Sequence, residues 1–378
     1  MELELSIDGR TQESLCAGAA LVAAAARPLW DKSKFNFKVY NEGISNQLVG
    51  IWPHDLTKEE QVLVRVYGKS TELFIDRGAE KRNIQRLHSK GCGPSLLCSF
   101  KNGICYSYTV GVPLTTDTVM QEDIRLATLT CMADLHSIEW DETLGAPVLF
   151  KKIQLFMDLL PELHTEVCFK SAVLEGYTKE NIKNEVAEVE RAVRGLNCPV
   201  TFCHNDTLLA NVIWNKEERR VHFIDFEYAA PNFQPFDIAN HFCEYAGVDE
   251  VDYSRYPSEE YQTLWISQYL SRLKKPSQRP LAWWLAAVKA LALASHLFWG
   301  TWALVQAHHS SIQFDFAGYS VCRLNEYRRR KVAFLDSARL FGPQDSLQQA
   351  QEEQQEIKQT DSPFSTVVPM LGSPQPTS

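Results

Sequence analysis

The sequence predicts an α+β fold of two lobes, a small β-rich lobe followed by a large, mostly helical one. Three observations predict it. Between residues 35 and 110, short runs alternate apolar and polar positions, separated by turns rich in Gly, Asn and Ser, which is the pattern of strands. From about 111 onward, apolar residues recur at helical spacing through several long segments. Residues 342–378 change character to Gln, Glu, Ser and Pro and nearly lose aromatics, so they cannot bury enough apolar surface to offset their ordering entropy. The expected division is therefore 1–110 for the β-rich lobe with an N-terminal helix, 111–341 for the helical lobe, and 342–378 for a disordered tail.

The opening residues Met-Glu-Leu-Glu-Leu-Ser-Ile-Asp are acidic. The Ala-rich stretch 17–26 thus lacks the basic start of a signal peptide and reads as a helix. Residues 35–40 and 47–52 read as strands flanking the turn 41–46. In 61–67, Val62, Val64 and Val66 alternate with Leu63 and Arg65, which predicts a strand with two distinct faces. Residues 76–89 are polar and helical. Residues 95–100 and 104–110 form a hairpin about Lys101-Asn102-Gly103. Gly111 and Pro113 break the pattern and mark the join between lobes. Helices are expected over 118–138, 153–159, 181–194, 259–273 and 281–306, with a pair of strands near 212 and 223.

Composition sets bounds. The chain has 378 residues, 45% of them hydrophobic, and a net charge of −9. That balance excludes nucleic acid as the main partner, since phosphate backbones are held by clustered Lys and Arg. The run Arg328-Arg329-Arg330-Lys331 reads as a solvated helix end. Ten cysteines form no CxxC pair and no zinc spacing, so reduced thiols in a cytoplasmic protein are expected. The apolar stretch 281–306 contains Lys289, which costs at least ~2.5 kcal/mol at a bilayer centre. It reads as a buried helix, and no transmembrane segment is expected.

The chemistry concentrates in 202–228. Phe202-Cys203-His204-Asn205-Asp206 is followed by Asn211, five positions beyond Asp206, and Asp225 ends a later apolar run. Asp, four residues, Asn, strand, Asp is the order of the catalytic and metal loops of protein-kinase-like phosphotransferases. Phosphoryl transfer needs a carboxylate to take the acceptor's proton and oxygen ligands to hold Mg²⁺ against the phosphates. Asp206 fits the first role, and Asn211 and Asp225 fit the second. Each alone reads as an ordinary cap, turn or strand-end residue; the joint spacing selects the catalytic reading. His204 is a catalytic-loop candidate, as a brace or as a proton carrier. Arg65 is a candidate for the α- and β-phosphates, with Glu80 on the next helix fixing its direction. The turn holding Gly43, Ser45 and Asn46 is suited to cover phosphates with backbone N–H groups, although it reads equally as a plain hairpin. Trp299 and Trp302, three apart, share a helix face and with Tyr319 can hold a small cation. Glu227 would supply the countercharge. Periodicity alone makes this aromatic face ordinary core packing.

These segments together resemble the choline/ethanolamine kinases, and most of all the ethanolamine kinases. The resemblance rests on Leu63 to Gly68, Phe202 to Asn211, Phe223 to Tyr228, Phe236-Asp237-Ile238-Ala239-Asn240-His241-Phe242, Ala246-Gly247-Val248 with Asp252-Tyr253, and Ala294 to Leu304. It implies a protein-kinase-like fold and ATP-dependent phosphorylation of the ethanolamine hydroxyl, the first step toward phosphatidylethanolamine. It implies Asp206 as base, Asn211 and Asp225 as magnesium ligands, Arg65 and Glu80 as the phosphate-facing pair, and Glu227, Trp299, Trp302 and Tyr319 as the amino-alcohol pocket. Choline or another small amino alcohol is the near alternative, and a catalytically weakened binding relative the distant one. The chain departs from the family at Leu209-Ala210, where a Cys-Lys pair is usual, at Pro231-Asn232-Phe233, where Tyr-Asn-Tyr is usual, and at Ala239, where Gly is usual.

Overall fold

The computed structural model describes residues 1–342 apart from 32–33, 41–45, 69–70, 74, 141–144, 164–168 and 311. The predicted tail therefore lies outside the described residues, as do Gly43 and Ser45 of the predicted phosphate turn.

The first part of the chain builds one six-stranded sheet. Its strands are β1 (Glu2–Leu3), β2 (Phe35–Tyr40), β3 (Asn46–Pro53), β4 (Val62–Tyr67), β5 (Leu96–Phe100) and β6 (Gly103–Ser107), in the order β1-β5-β6-β4-β3-β2. β4 is central, and its alternation assigns its two faces. Val62, Val64 and Val66 pack with Val49, Ile51 and Cys105 beneath α1 (Gln12–Ala26). Leu63 and Arg65 turn the other way, toward α2 (Arg77–Ser89) and the rest of the protein. Gly103 allows β6 to approach β4 closely, because a Cβ there would stand 2.1 Å from the Arg65 carbonyl oxygen. α1 begins earlier than its Ala-rich core suggests, since Thr11 and Ser14 form a reciprocal cap. β1, two residues paired in parallel with β5, has no readable sequence signal.

Beyond β7 (Val112–Pro113), which pairs with β9, helices dominate. They are α3 (Glu122–His136), α4 (Leu149–Leu159), α5 (Lys170–Leu174), α6 (Lys179–Gly195), α7 (Pro235–Glu244), α8 (Glu259–Arg272), α9 (Leu281–His309) and α10 (Phe316–Arg339). Two short ladders sit among them: β8 (Val200–Cys203) with β11 (Ala230–Phe233), and β9 (Val212–Asn215) with β10 (Arg220–Phe223). α9 is the axis of this lobe. It is long and apolar enough to span a bilayer, yet 78% of its most apolar window is buried inside the protein against α4, α6, α7, α8 and α10. Lys289 leaves the core at its edge, where Nζ reaches Glu259 Oε2 at 2.7 Å. An all-round apolar helix is thus a core helix here. The nine described cysteines are free.

Candidate active site

Two ladders deliver the predicted catalytic residues to one cleft. β8 ends at Cys203 and releases the loop His204-Asn205-Asp206. This loop is tied down from below by Asp237 of α7. Asp237 accepts the backbone N–H groups of His204 at 2.7 Å and Asn205 at 2.8 Å, and holds His136 at 3.0 Å. Burial alone would raise the Asp237 carboxyl, but its bond to His136 and the neighbouring His204 hold it below the ordinary carboxylate range. Asn205 adopts φ +67°, an uncommon conformation for a non-glycine residue. Its side chain makes that turn stable by donating to the Tyr228 carbonyl at 2.9 Å and accepting from Asn232 at 2.8 Å. Asn232 belongs to the departing Pro231-Asn232-Phe233 run. None of those three residues lines the cleft, whereas Ala210 does.

The β9–β10 ladder places the other two. Ile224 N–H bonds the Asn211 carbonyl at 3.0 Å, extending the ladder by one rung and bringing Asp225 beside Asn211. Asp225 then takes φ +64° and leads into a single turn of 3₁₀ helix, Phe226–Tyr228. Asp206, Asn211 and Asp225 line the same cleft. Asn211 Nδ2 donates to the Asp206 carbonyl at 3.1 Å and to Asp206 Oδ2 at 2.9 Å. Burial, followed by the Asp225, Glu244 and Glu227 carboxylates, pushes the Asp206 carboxyl well above its ordinary range.

His204 does not reach the cleft. Its Nε2 donates to the Ile224 carbonyl at 2.9 Å, and its Nδ1 accepts from the Asp206 N–H at 3.2 Å. A carbonyl can only accept and an N–H only donate, so this is the neutral Nε2–H tautomer with both nitrogens engaged. Burial lowers its pKa in agreement. The proton-carrier alternative is set aside, and His204 is a brace that links the two loops.

A network of ion pairs crosses the cleft from the sheet. Arg65 Nη1 donates to Glu80 Oε1 at 3.1 Å and to Asp225 Oδ1 at 2.8 Å. The strand arginine and helix glutamate expected from sequence therefore meet. Glu80 itself is fully buried behind Arg65 and does not line the cleft. Glu227 joins this network while lining the same cleft as the aromatic residues. Its Oε2 accepts from Asn46 Nδ2 at 3.0 Å and from Arg77 Nη1 at 2.9 Å. Burial first, and then Asp225, push its carboxyl up to about 7.

The aromatic end has a different carboxylate. Trp299 and Trp302 stand edge to face at 5.5 Å, and Trp299 meets Tyr228 at 5.4 Å. Tyr319 and Glu244 complete the wall. Arg323, buried in α10, donates to Glu244 Oε1 at 2.8 Å and to the Tyr319 hydroxyl at 3.1 Å. Glu244 Oε2 is buried and has no partner among the described residues. The free volume of this cleft is about 130 Å³, small beside the ≈ 300–1,000 Å³ of drug-sized sites. Larger hollows occur elsewhere, but this one gathers Asn46, Arg65, Asp206, Asn211, Asp225, Glu227, Trp299, Trp302 and Tyr319 from the predicted set. Sequence reasoning missed Glu244, Arg77, Asp237 and Arg323. Signals pointed to three of them, though not to Asp237. Glu244 and Arg323 are charges within otherwise buried helical faces, which need partners. Arg77 is a cation in the first turn of a helix, where the dipole disfavours it.

A sheet lobe over a helical lobe, with three oxygen-bearing side chains at the cleft between, defines a kinase-like phosphotransferase. Comparison narrows the class. The choline/ethanolamine kinase family model matches residues 37–328, and the chain belongs to that family. It is 40% identical to mouse ethanolamine kinase 2 over 328 residues, which is 85% of this chain and 82% of the mouse protein. It is 40% identical to the probable ethanolamine kinase of Nematostella vectensis over 318 residues, 82% of this chain and 91% of that one. Among solved structures, Plasmodium vivax ethanolamine kinase superposes with a TM-score of 0.75 at 26% identity, covering 85% of this chain and 90% of the other. Choline kinase from Cryptosporidium parvum gives 0.68 at 27% identity, covering 84% and 96%.

Proposed function

We propose that this chain phosphorylates the hydroxyl of ethanolamine with ATP, the entry step of phosphatidylethanolamine synthesis, and that Asp206 is the base. The observation that carries this reading is one cleft with two chemically distinct ends. One end holds Arg65, Asn211 and Asp225; the other holds Trp299, Trp302, Tyr319 and Glu244; Asp206 faces both. The ethanolamine relatives support the same substrate.

In this reading the substrate oxygen bonds the γ-phosphorus, its proton passes to an Asp206 oxygen, and the bond from the γ-phosphorus to the bridging oxygen breaks as ADP departs. Asn211 holds Asp206 in position through Oδ2. Arg65 faces the phosphates. The donor set also suits a magnesium ion. Asn211 offers a neutral Oδ1, Asp225 a charged oxygen, and carboxylates outnumber guanidiniums around them. Bound there, the ion supplies positive charge that neutralises phosphate oxygens and lowers the neighbouring carboxyls.

The ammonium of the substrate meets the aromatic rings and Glu244 Oε2. A primary ammonium has three N–H donors, and an unpartnered buried carboxylate oxygen answers them directly. The aromatic faces also suit a trimethylated cation, so choline is the second reading. The nine free thiols fit a cytoplasmic enzyme.

A coupled ADP-release assay with ethanolamine and with choline, on wild type and Asp206→Ala, tests this. Magnesium-dependent turnover preferring ethanolamine is expected, with a loss of at least ~10²-fold in the variant. Unchanged turnover in Asp206→Ala removes the mechanism, and a preference for choline removes the substrate assignment.

A further inference from the structure

A second guanidinium stands just behind the Arg65 end of the cleft, outside its lining. Arg77 opens α2, three residues before Glu80, and its side chain is only 14% exposed. Its contacts converge from four separate pieces of chain. Nη1 donates to Glu80 Oε2 at 3.0 Å and to Glu227 Oε2 at 2.9 Å. Nη2 donates to Asn46 Oδ1 at 3.2 Å and to Thr71 Oγ1 at 2.7 Å. The guanidinium plane lies over the Tyr67 ring, 3.9 Å from its centroid.

The consequences run both ways from this fork. Glu80 divides its two oxygens between two arginines, Oε1 to Arg65 and Oε2 to Arg77. Arg77 thereby fixes the carboxylate that aims Arg65. Asn46, the first residue of β3, has its carbonyl oxygen on Arg77 and the Gly68 N–H, and its amide nitrogen on Glu227. Arg77 thus also ties the start of β3 to the loop carrying Asp225. Only a planar guanidinium has enough donors in fixed directions to serve four acceptors at once.

We propose that Arg77 is a positioning residue for the nucleotide: it sets Arg65 through Glu80, and Asn46 and Glu227 directly, in the geometry that receives the phosphates. The proposal rests on the kinase reading but not on which amine is phosphorylated. It does not require Arg77 to touch the nucleotide.

The test measures binding of magnesium with a non-hydrolysable ATP analogue, by calorimetry and without amine, so an error in the amine assignment leaves it intact. Arg77→Gln should weaken nucleotide binding about tenfold, a typical coupling between contacting residues. Steady-state KM for ATP should rise by a similar factor while KM for the amine stays within about twofold. Glu227→Gln should cost less in the Arg77→Gln background than in wild type, because the unpaired buried carboxylate is the source of the damage. A general loss of structure would raise both KM values together. Nucleotide affinity within about twofold of wild type, or strictly additive effects of the two substitutions, overturns the proposal. Should Arg77→Gln not fold, Arg77→Lys carries the same test, since it keeps the charge and loses the fork. An Arg77→Lys protein that binds nucleotide like wild type also overturns it.

Discussion

The side-chain amide of Asn211 donates to Asp206 Oδ2 at 2.9 Å. Both of its contacts on Asp206 are acceptors, which fixes the amide nitrogen and leaves Oδ1 as the oxygen available to a cation. One residue thus aims the proposed base and contributes to the proposed magnesium site. Asn211→Asp separates the two duties. It keeps an oxygen ligand and adds charge, but it removes the donor and sets two carboxylates against each other. Loss of kcat by about 10²-fold is expected despite an intact ligand atom, the scale of a misplaced catalytic group. A variant with wild-type kcat would show that Asn211 serves only the metal.

Asp225 is the other proposed oxygen ligand. Asp225 Oδ1 pairs with Arg65 at 2.8 Å, so a cation bound there would share the carboxylate with that arginine. Asp225→Ala removes the proposed ligand and leaves Arg65 paired with Glu80. The magnesium concentration for half-maximal rate, measured at saturating ATP, should rise at least about tenfold. An unchanged magnesium requirement would place the ion elsewhere.

The two glutamates at the cleft should behave oppositely. Spacing alone suggests Glu227 as the ammonium's partner, yet Arg77 and Asn46 already engage its Oε2 on the Arg65 side of the cleft. Glu244, which lines the cleft with Trp302, Trp299 and Tyr319, has a buried Oε2 without a partner among the described residues. Glu244→Gln should raise KM for the amine tenfold or more, roughly the worth of one charge-assisted bond, with less effect on ATP. Glu227→Gln should raise KM for ATP more than for the amine. The reverse pattern would return the countercharge to Glu227.

This pair also shows where sequence reading reaches its end. Strand alternation in Val62–Tyr67 was enough to turn Arg65 away from the valine face, and the polar helix that follows gave Glu80 its place. The five-residue step from Asp206 to Asn211 and the three-residue step from Trp299 to Trp302 are local, and periodicity resolves them. Glu227 is different. The left-handed backbone at Asp225 and the 3₁₀ turn after it redirect the chain, and its partner Arg77 stands 150 positions away. No local pattern encodes a contact of that range. The same holds for Asp237, whose two backbone bonds to the catalytic loop cross more than 30 positions.

Buried histidines should make the fold sensitive to acid. His241 is fully buried in α7 against Tyr245 and Trp265, its Nδ1 lies 3.4 Å from the Thr207 carbonyl, and burial pushes its pKa down to about 4. In the unfolded chain the same ring titrates near 6.5. Between those values the unfolded state binds the extra proton, so stability is full above pH 6.5 and declines as pH falls toward 4. This group alone should cost about 2 kcal/mol between pH 7.5 and pH 5. His204 and His296 are shifted in the same direction by burial and steepen the fall. Urea unfolding of wild type and His241→Gln at the two pH values checks it. The variant is less stable at pH 7.5 but should lose less on acidification, and parallel losses in both proteins would show that His241 is not the titrating group.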